Sequence, residues 1–146
     1  MKPTPKGWPR LATAIYCTDA ATHIDWLCAA FGFEVRLKVE GEGGRIEHSE
    51  IMYGDAIIMV GDELAQSSKE RPHMVSPLSV GGKNTQSIML YVDDADAHCQ
   101  RARAAGGVIT IEPKVSDYGE EYWADKTYGC RDPEGHDWWF AERVRG

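Results

Sequence analysis

The stretch that decides the fold is AIYCTDAATHIDWLCAAFGFEV at residues 14–35, because the chain contains a second version of it. It aligns without gaps on MLYVDDADAHCQRARAAGGVIT at residues 89–110, about half the chain further on. Such internal similarity predicts two copies of one supersecondary module. The identical pairs include Tyr16 and Tyr91, Asp19 and Asp94, Ala20 and Ala95, His23 and His98, Ala30 and Ala105, and Gly32 and Gly107.

Each copy has the signals of a strand followed by a helix. An apolar run is followed by an aspartate in N-cap position, a helical segment and a glycine C-cap. In the first copy, Ile24, Leu27, Cys28 and Phe31 form the stripe of a helix that is buried on one side. The repeated histidines His23 and His98 come early in their helices, where we expect them to cap the helix or to be exposed to solvent.

Strand signals follow each helix. Alternating residues predict a hairpin around Gly54-Asp55 in the first half and another around residues 133–135 in the second. VSDYGEEYW at residues 115–123 has the composition of an irregular loop. The order is therefore βαβββ twice, an α+β fold of two tandem modules.

Composition divides the chain further and limits its partners. We expect an N-terminal arm at residues 1–10, modules at 11–65 and 85–146, and a Ser-, Pro- and Gly-rich linker at 66–84, all in one domain. The net charge of −7 argues against nucleic acid, and no apolar stretch is long enough for a membrane span. Four scattered cysteines without CxxC spacing are typical of free thiols in a cytoplasmic protein.

The repeat, the segment CTDAATHIDWLCAAFGFEV and the final RDPEGHDWWFAE resemble the vicinal oxygen chelate superfamily. This group includes glyoxalase I, extradiol dioxygenases, fosfomycin-resistance enzymes and bleomycin-resistance proteins. The resemblance extends from about Leu11 to Val144. It implies that the two modules form a U-shaped mixed sheet with helices outside and a ligand cleft inside, and that the protein is a homodimer.

The same resemblance implies four inward positions at which the superfamily's enzymes carry metal ligands. Here these positions fall on Ala12, Met59, Ser87 and Trp139, none of which suits a divalent metal. The chain is therefore most similar to a metal-less branch like the bleomycin-resistance proteins. We expect it to hold neither a metal nor another cofactor.

Two adjacent tryptophans lie on the last predicted strand. Since successive side chains point to opposite faces, Trp138 should pack on the helix with Phe140, while Trp139 faces the cleft. The first strand of the second module adds Met89 and Tyr91 to the cleft side. For Tyr91, a structural role at the strand end is an equally open interpretation.

The Gly54-Asp55 turn fixes the register in the first module. It pairs Glu50 with Met59 and places His48 and Glu50 on the cleft face. Such a pair suits a metal site, a general acid–base pair or ligand recognition, and an ordinary polar strand end has the same residues.

Aromatic and acidic residues are mixed in DYGEEYWADKTY, residues 117–128. Tyr122 and Trp123, beside several carboxylates, suit a flat aromatic or cationic ligand, but a dimer interface has the same composition. Trp8 belongs to a proline-rich arm that either packs on a partner subunit or is disordered.

Two main hypotheses follow. The first is a protein that binds a small aromatic or cationic compound without metal, using Met59, Met89, Tyr91, Tyr122, Trp123 and Trp139. The alternative is a lyase, isomerase or dioxygenase with a relocated metal or acid–base site at His48 and Glu50. A third possibility is a pure interaction module whose cleft is filled by its own side chains.

Overall fold

The structure is a computed structural model that describes all residues, 1–146. The chain divides into two compact units, Met1–Gly81 and Gly82–Gly146. Each unit contains one helix and one mixed four-stranded sheet. The predicted α+β fold with tandem βαβββ modules is therefore confirmed.

The first unit contains the strands β1 (Thr13–Cys17), β2 (Glu34–Glu40), β3 (Ile46–Tyr53) and β4 (Ala56–Asp62), and the helix α1 (Ala20–Phe31). Its sheet has the order β1-β4-β3-β2, with β1 parallel to β4 and the other pairs antiparallel. The second unit contains β5 (Ile88–Tyr91), α2 (Ala95–Ala104), β6 (Val108–Asp117), β7 (Ala124–Arg131) and β8 (Asp137–Arg145). Its sheet repeats the same topology in the order β5-β8-β7-β6.

Both helices begin at the predicted aspartates. The Asp19 side chain accepts a hydrogen bond from the Thr22 backbone N–H, and Asp94 accepts one from that of Ala97. These bonds satisfy donors that a helix start leaves without partners. Gly32 ends α1 with the left-handed φ of 85°. In the second copy α2 ends earlier, and Gly106, not the predicted Gly107, adopts the left-handed φ of 94°.

The repeated histidines correct one sequence expectation, because both are buried. His23 is 3% exposed and His98 is 8% exposed. In α2, for example, His98 extends the buried stripe of the helix, because it lies three residues after the buried Ala95 and just before the buried Cys99. The His98 ring bonds to the Tyr128 hydroxyl and packs against Phe140, which makes it part of the core.

The strands also differ from the sequence expectation at one place. Residues 115–117 of the predicted irregular loop continue β6, and only residues 118–123 connect it to β7. Two register irregularities, between Ile109 and Lys114, allow β6 to pair with β7 along this greater length.

The segment after β4 is held by side chains of the first unit. It contains the 3-10 turns Gln66–Ser68 and Pro77–Val80. Glu47 accepts hydrogen bonds from the backbone N–H groups of Gln66 and Ser67. Glu63 accepts bonds from the Ser76 backbone and the Ser79 hydroxyl.

Neither α1 nor α2 has the length and apolar character that a membrane crossing requires.

Candidate functional site

The two adjacent tryptophans of β8 lie on opposite faces of the second sheet. Trp138 is 1% exposed, stacks with Phe140 and donates its indole N–H to Asp132 Oδ2 at 2.8 Å. Trp139 lies on the other face, which we call the helix-free face of the second unit, and is only partly buried. The split follows from the period of two along a strand.

Trp139 has small or flexible neighbours on the adjacent strands. Met89 of β5 is its register partner on one side, and Gly129 of β7 is its partner on the other. A Cβ atom at Gly129 would lie 2.6 Å from the Thr110 hydroxyl oxygen, so any larger residue here would require the Thr110 side chain to shift. Met89 is 53% exposed, which keeps a polarizable side chain accessible beside the indole.

A cavity of about 360 Å³ lies at Trp139. Its volume is within the range of roughly 300–1,000 Å³ that is typical of small-molecule pockets. Ser87 and Thr110 provide hydroxyl groups on its wall, and Ile111 provides apolar surface. The lining also includes Trp138 and the ion pair of Arg131 and Asp137, in which Nε and Oδ1 are 3.0 Å apart.

A second cluster on this face is centred on Arg143. Its Nε atom donates to Asp125 Oδ1 at 2.5 Å, and its Nη2 atom donates to the Tyr91 hydroxyl at 2.6 Å. The guanidinium carbon lies 5.3 Å from the centre of the Tyr91 ring and 5.1 Å from that of Trp123. The hydrogen bond to Asp125 raises the pKa of Arg143 above its ordinary value.

Arg143 therefore occupies the acidic and aromatic niche in which the sequence suggested a cationic ligand. Tyr91 and Trp123 provide the ring faces and Asp125 the carboxylate, as that interpretation requires. Since a cation of the chain itself already satisfies them, a free cation would first have to displace Arg143. The contacts of Tyr91 with Arg143 agree with a structural role for this residue, which the sequence left open beside ligand contact.

The loop at residues 118–123 presents exposed rings next to this cluster. Tyr122 is 61% exposed and Trp123 is 41% exposed, and the two rings meet edge to face. Arg145 forms a bidentate ion pair with Asp117 at the base of the loop. The bonds from Arg145 hold the pKa of Asp117 well below its usual range.

The candidate acid–base pair lies in the first unit. His48 Nε2 and Glu50 Oε1 are 3.1 Å apart, and Glu50 is 7% exposed. The second carboxylate oxygen of Glu50 lies 3.4 Å from Arg36 Nε. Met59 pairs with Glu50 in the register that the sequence predicts, and it is partly buried.

At the four positions that the superfamily resemblance implies for metal ligands, the residues of this chain do not suit a metal ion. Ala12 and Met59 of the first unit, and Ser87 and Trp139 of the second, offer no carboxylate, imidazole or thiolate. Within either unit, no group of three or more His, Cys, Asp or Glu side chains is placed to hold a metal ion. His48 and Glu50 provide only two side chains, and both oxygens of Glu50 already face partners.

The structure places several of the predicted site residues next to one another. Met89 is adjacent to Trp139, Tyr91 and Trp123 share Arg143, and His48 contacts Glu50. Sequence reasoning missed Arg143 and Arg36. Arg143 could have been found by continuing the alternating row of Trp139 and Ala141 by one more step along β8.

Comparisons with known proteins agree with the fold. The Glyoxalase/Bleomycin resistance protein/Dioxygenase superfamily matches residues 11–140. An uncharacterised protein of Mycobacterium bovis is 30% identical over 137 residues, which are 94% of this chain and 85% of that protein.

Solved structures show the same architecture. TioX from a Micromonospora species has a TM-score of 0.69 and 27% identity, and the match covers 92% of this chain and 95% of TioX. TnmS3, described as an antibiotic binding protein from a Streptomyces species, has a TM-score of 0.63 and 18% identity, with coverage of 91% and 93%. The match of the superfamily to most of the chain assigns this protein to the glyoxalase/bleomycin resistance protein/dioxygenase superfamily.

Proposed function

We propose that this protein binds a small aromatic compound on the helix-free face of the second unit, without a metal ion. The observation that carries the proposal is the position of Trp139. This side chain replaces the glutamate that the superfamily resemblance implies, and the cavity of about 360 Å³ lies against it. An indole offers a large apolar face and one N–H donor, which suits a flat ring with a polar edge.

An aromatic ligand agrees better with this surface than a cationic one. Arg143 neutralises Asp125 and covers one face each of Tyr91 and Trp123. An aromatic ring can stack on Trp139 and contact Met89 without removing this ion pair. The name of TnmS3 as an antibiotic binding protein is consistent with sequestration of such a compound.

The first test is a calorimetric titration of the protein, dialysed against EDTA, with neutral bicyclic aromatics such as 2-naphthalenemethanol. We expect Trp139→Ala to weaken binding by about thirtyfold, which corresponds to the roughly 2 kcal/mol that a buried aromatic anchor contributes. Trp139→Phe keeps a ring and should recover most of the affinity. Equal affinity in all three proteins would contradict the proposal.

A second candidate function is a metal-free acid–base enzyme, and one observation favours it. His48 and Glu50 are within hydrogen-bond distance, as a general acid–base pair requires. Glu50→Gln would then abolish turnover and leave binding nearly unchanged. The compounds that bind are the first substrates to test.

We expect a cytoplasmic homodimer with no affinity for nucleic acid, consistent with the net charge of −7. The exposed rings of Tyr122 and Trp123 suit such an interface. Sedimentation velocity at several concentrations measures the oligomeric state directly.

A further inference from the structure

The N-terminal arm forms a separate pocket with the sheet of the first unit. A turn brings the arm back on itself, since the Trp8 N–H donates to the Pro5 carbonyl oxygen at 3.0 Å. Gly7 has the left-handed φ of 79° that the third position of such a turn favours. The arm therefore has a defined conformation over the sheet.

Arg36 fastens the arm to the sheet. Its Nη1 atom donates to the Gly7 carbonyl oxygen at 2.6 Å, and its guanidinium carbon lies 5.1 Å from the centre of the Trp8 ring. The Nε atom of the same side chain faces Glu50 at 3.4 Å. These contacts use Nη1 and Nε, so Nη2 keeps its two donors without a hydrogen bond.

A cavity of about 480 Å³ lies between the arm and the sheet. Apolar surface comes from Trp8, Met52 and Ile57, and Ile57 is 5% exposed. Two cationic side chains, Lys6 and Arg36, line the cavity together with one acidic residue, Asp55. Lys6 makes no ion pair, so its charge remains available to a ligand.

We propose that this arm pocket binds a small aromatic carboxylate. The apolar wall would hold the ring, and Lys6 with Nη2 of Arg36 would bind the carboxylate through charge-assisted hydrogen bonds. The volume is within the usual range for small-molecule sites. The arm pocket and the Trp139 cavity share no lining residue, because the first is lined only by residues of the first unit and the second only by residues of the second.

The chain offers a direct readout, since it contains only five methionines. In protein labelled with ¹³C at the methionine methyl groups, Met52 reports on the arm pocket, which it lines, while Met89, the register partner of Trp139, reports on the surroundings of that tryptophan. The probes are 2-naphthoate, the cation 2-naphthylmethylamine and the neutral 2-naphthalenemethanol. We expect Met52 to shift with naphthoate and to saturate at roughly tenfold lower concentration than with either analogue.

Variants of the arm test the assignment without touching the core. Trp8→Ala and Lys6→Gln should each weaken the naphthoate response of Met52 by about tenfold. Lys69→Gln removes an equal charge from an exposed position of the same unit outside the pocket. The naphthoate response of Met52 should therefore stay unchanged in this variant. Trp8→Phe keeps a ring and should retain most of the response.

Three results would overturn the proposal. Met52 could fail to shift with naphthoate, it could respond more strongly to the cation, or its response could be the same in wild type, Trp8→Ala and Lys6→Gln.

The experiment is repeated in Trp139→Ala protein. A Met52 response that persists there supports the arm pocket independently of the function proposed for the second unit.

Discussion

Arg143 is the residue that most changes the chemistry expected for the site. The chain fills its own aromatic and acidic niche with a guanidinium group held by Asp125 and Tyr91. A niche with this composition binds organic cations when it is open. We therefore expect this side chain to exclude free cations from this part of the helix-free face.

Replacing Arg143 should reverse this preference. In Arg143→Gln, Asp125 loses its ion-pair partner, and the rings of Tyr91 and Trp123 lose the guanidinium between them. We expect affinity for a quaternary ammonium compound such as phenyltrimethylammonium to rise about tenfold, in line with roughly 1–2 kcal/mol for cation–π contact. Calorimetry measures this, and Arg143→Lys, which keeps a cation, should bind as weakly as wild type. An unchanged affinity in Arg143→Gln would contradict the role of the guanidinium group in excluding cations.

Asp132 holds the turn before β8 together. Its Oδ2 accepts the Trp138 indole N–H, and its Oδ1 accepts the backbone N–H groups of Glu134 and His136 at 3.0 Å. Because Asp132 is 4% exposed, Asp132→Ala would leave several buried donors without acceptors. We expect a loss of about 3 kcal/mol in the free energy of unfolding, measured in urea. Ser67→Ala, at an exposed turn, is the comparison for which only a small change is expected; similar losses in both variants would contradict this role.

The four cysteines should differ in reactivity. Burial raises the pKa of the Cys130 thiol to about 12, and it also raises the pKa values of Cys99 and Cys28. Only the thiolate reacts with a disulfide reagent, so a buried thiol with a raised pKa should react slowly. At pH 8 we expect Cys28, which is partly exposed, to be modified first and Cys130 only on unfolding. Mass mapping of a time course checks the order, and early labelling of Cys130 in folded protein would contradict it.

At the scale of the elements, the two units use related contacts to join a helix to the last strand. The Ala20 N–H donates to Asp62 Oδ1 at 2.9 Å, and the Ala95 N–H donates to Glu142 Oε2 at the same distance. A carboxylate at a helix N-terminus is also favoured by the helix dipole. The duplication therefore preserves this contact although the acidic side chain differs.

The packing of α2 on β7 depends on Gly107. A Cβ atom there would lie 2.8 Å from Cys130 Sγ and 3.0 Å from the Ala102 carbonyl oxygen. Because the second neighbour is helix backbone, Gly107→Ala should lower the free energy of unfolding by about 2 kcal/mol. Gly61→Ala is the matched control, since its nearest atom would lie at 3.9 Å. Equal unfolding midpoints for the two variants would contradict the close approach.

How far the sequence predicts the structure depends on the range of each signal. The Asp19 and Asp94 caps and the Gly54-Asp55 register are local, and the structure confirms them. The burial of His98 was missed because its partners, Tyr128 and Phe140, are distant in sequence. Arg143 was missed for the same reason, since its contacts with Tyr91 and Asp125 form only when β5, β7 and β8 align.

At the scale of the whole molecule, membership of the superfamily determines the fold but not the chemistry, because one fold supports many functions. Arg143 on the helix-free face of the second unit and the arm pocket in the first unit are features of this chain's own side chains. They give the two units different proposed ligand preferences although their topologies are the same. A duplicated fold can in this way offer two unlike binding surfaces.

The most direct test of binding at Trp139 without metal is a ¹³C-methionine NMR titration of EDTA-dialysed protein with 2-naphthalenemethanol. We expect the Met89 methyl signal to shift in a saturable manner, since Met89 is the register partner of Trp139, and the exposed Met74 to remain unmoved. The shift should be absent in Trp139→Ala. A Met89 signal that does not move, or that moves only after a divalent metal is restored, would contradict metal-independent binding at this face.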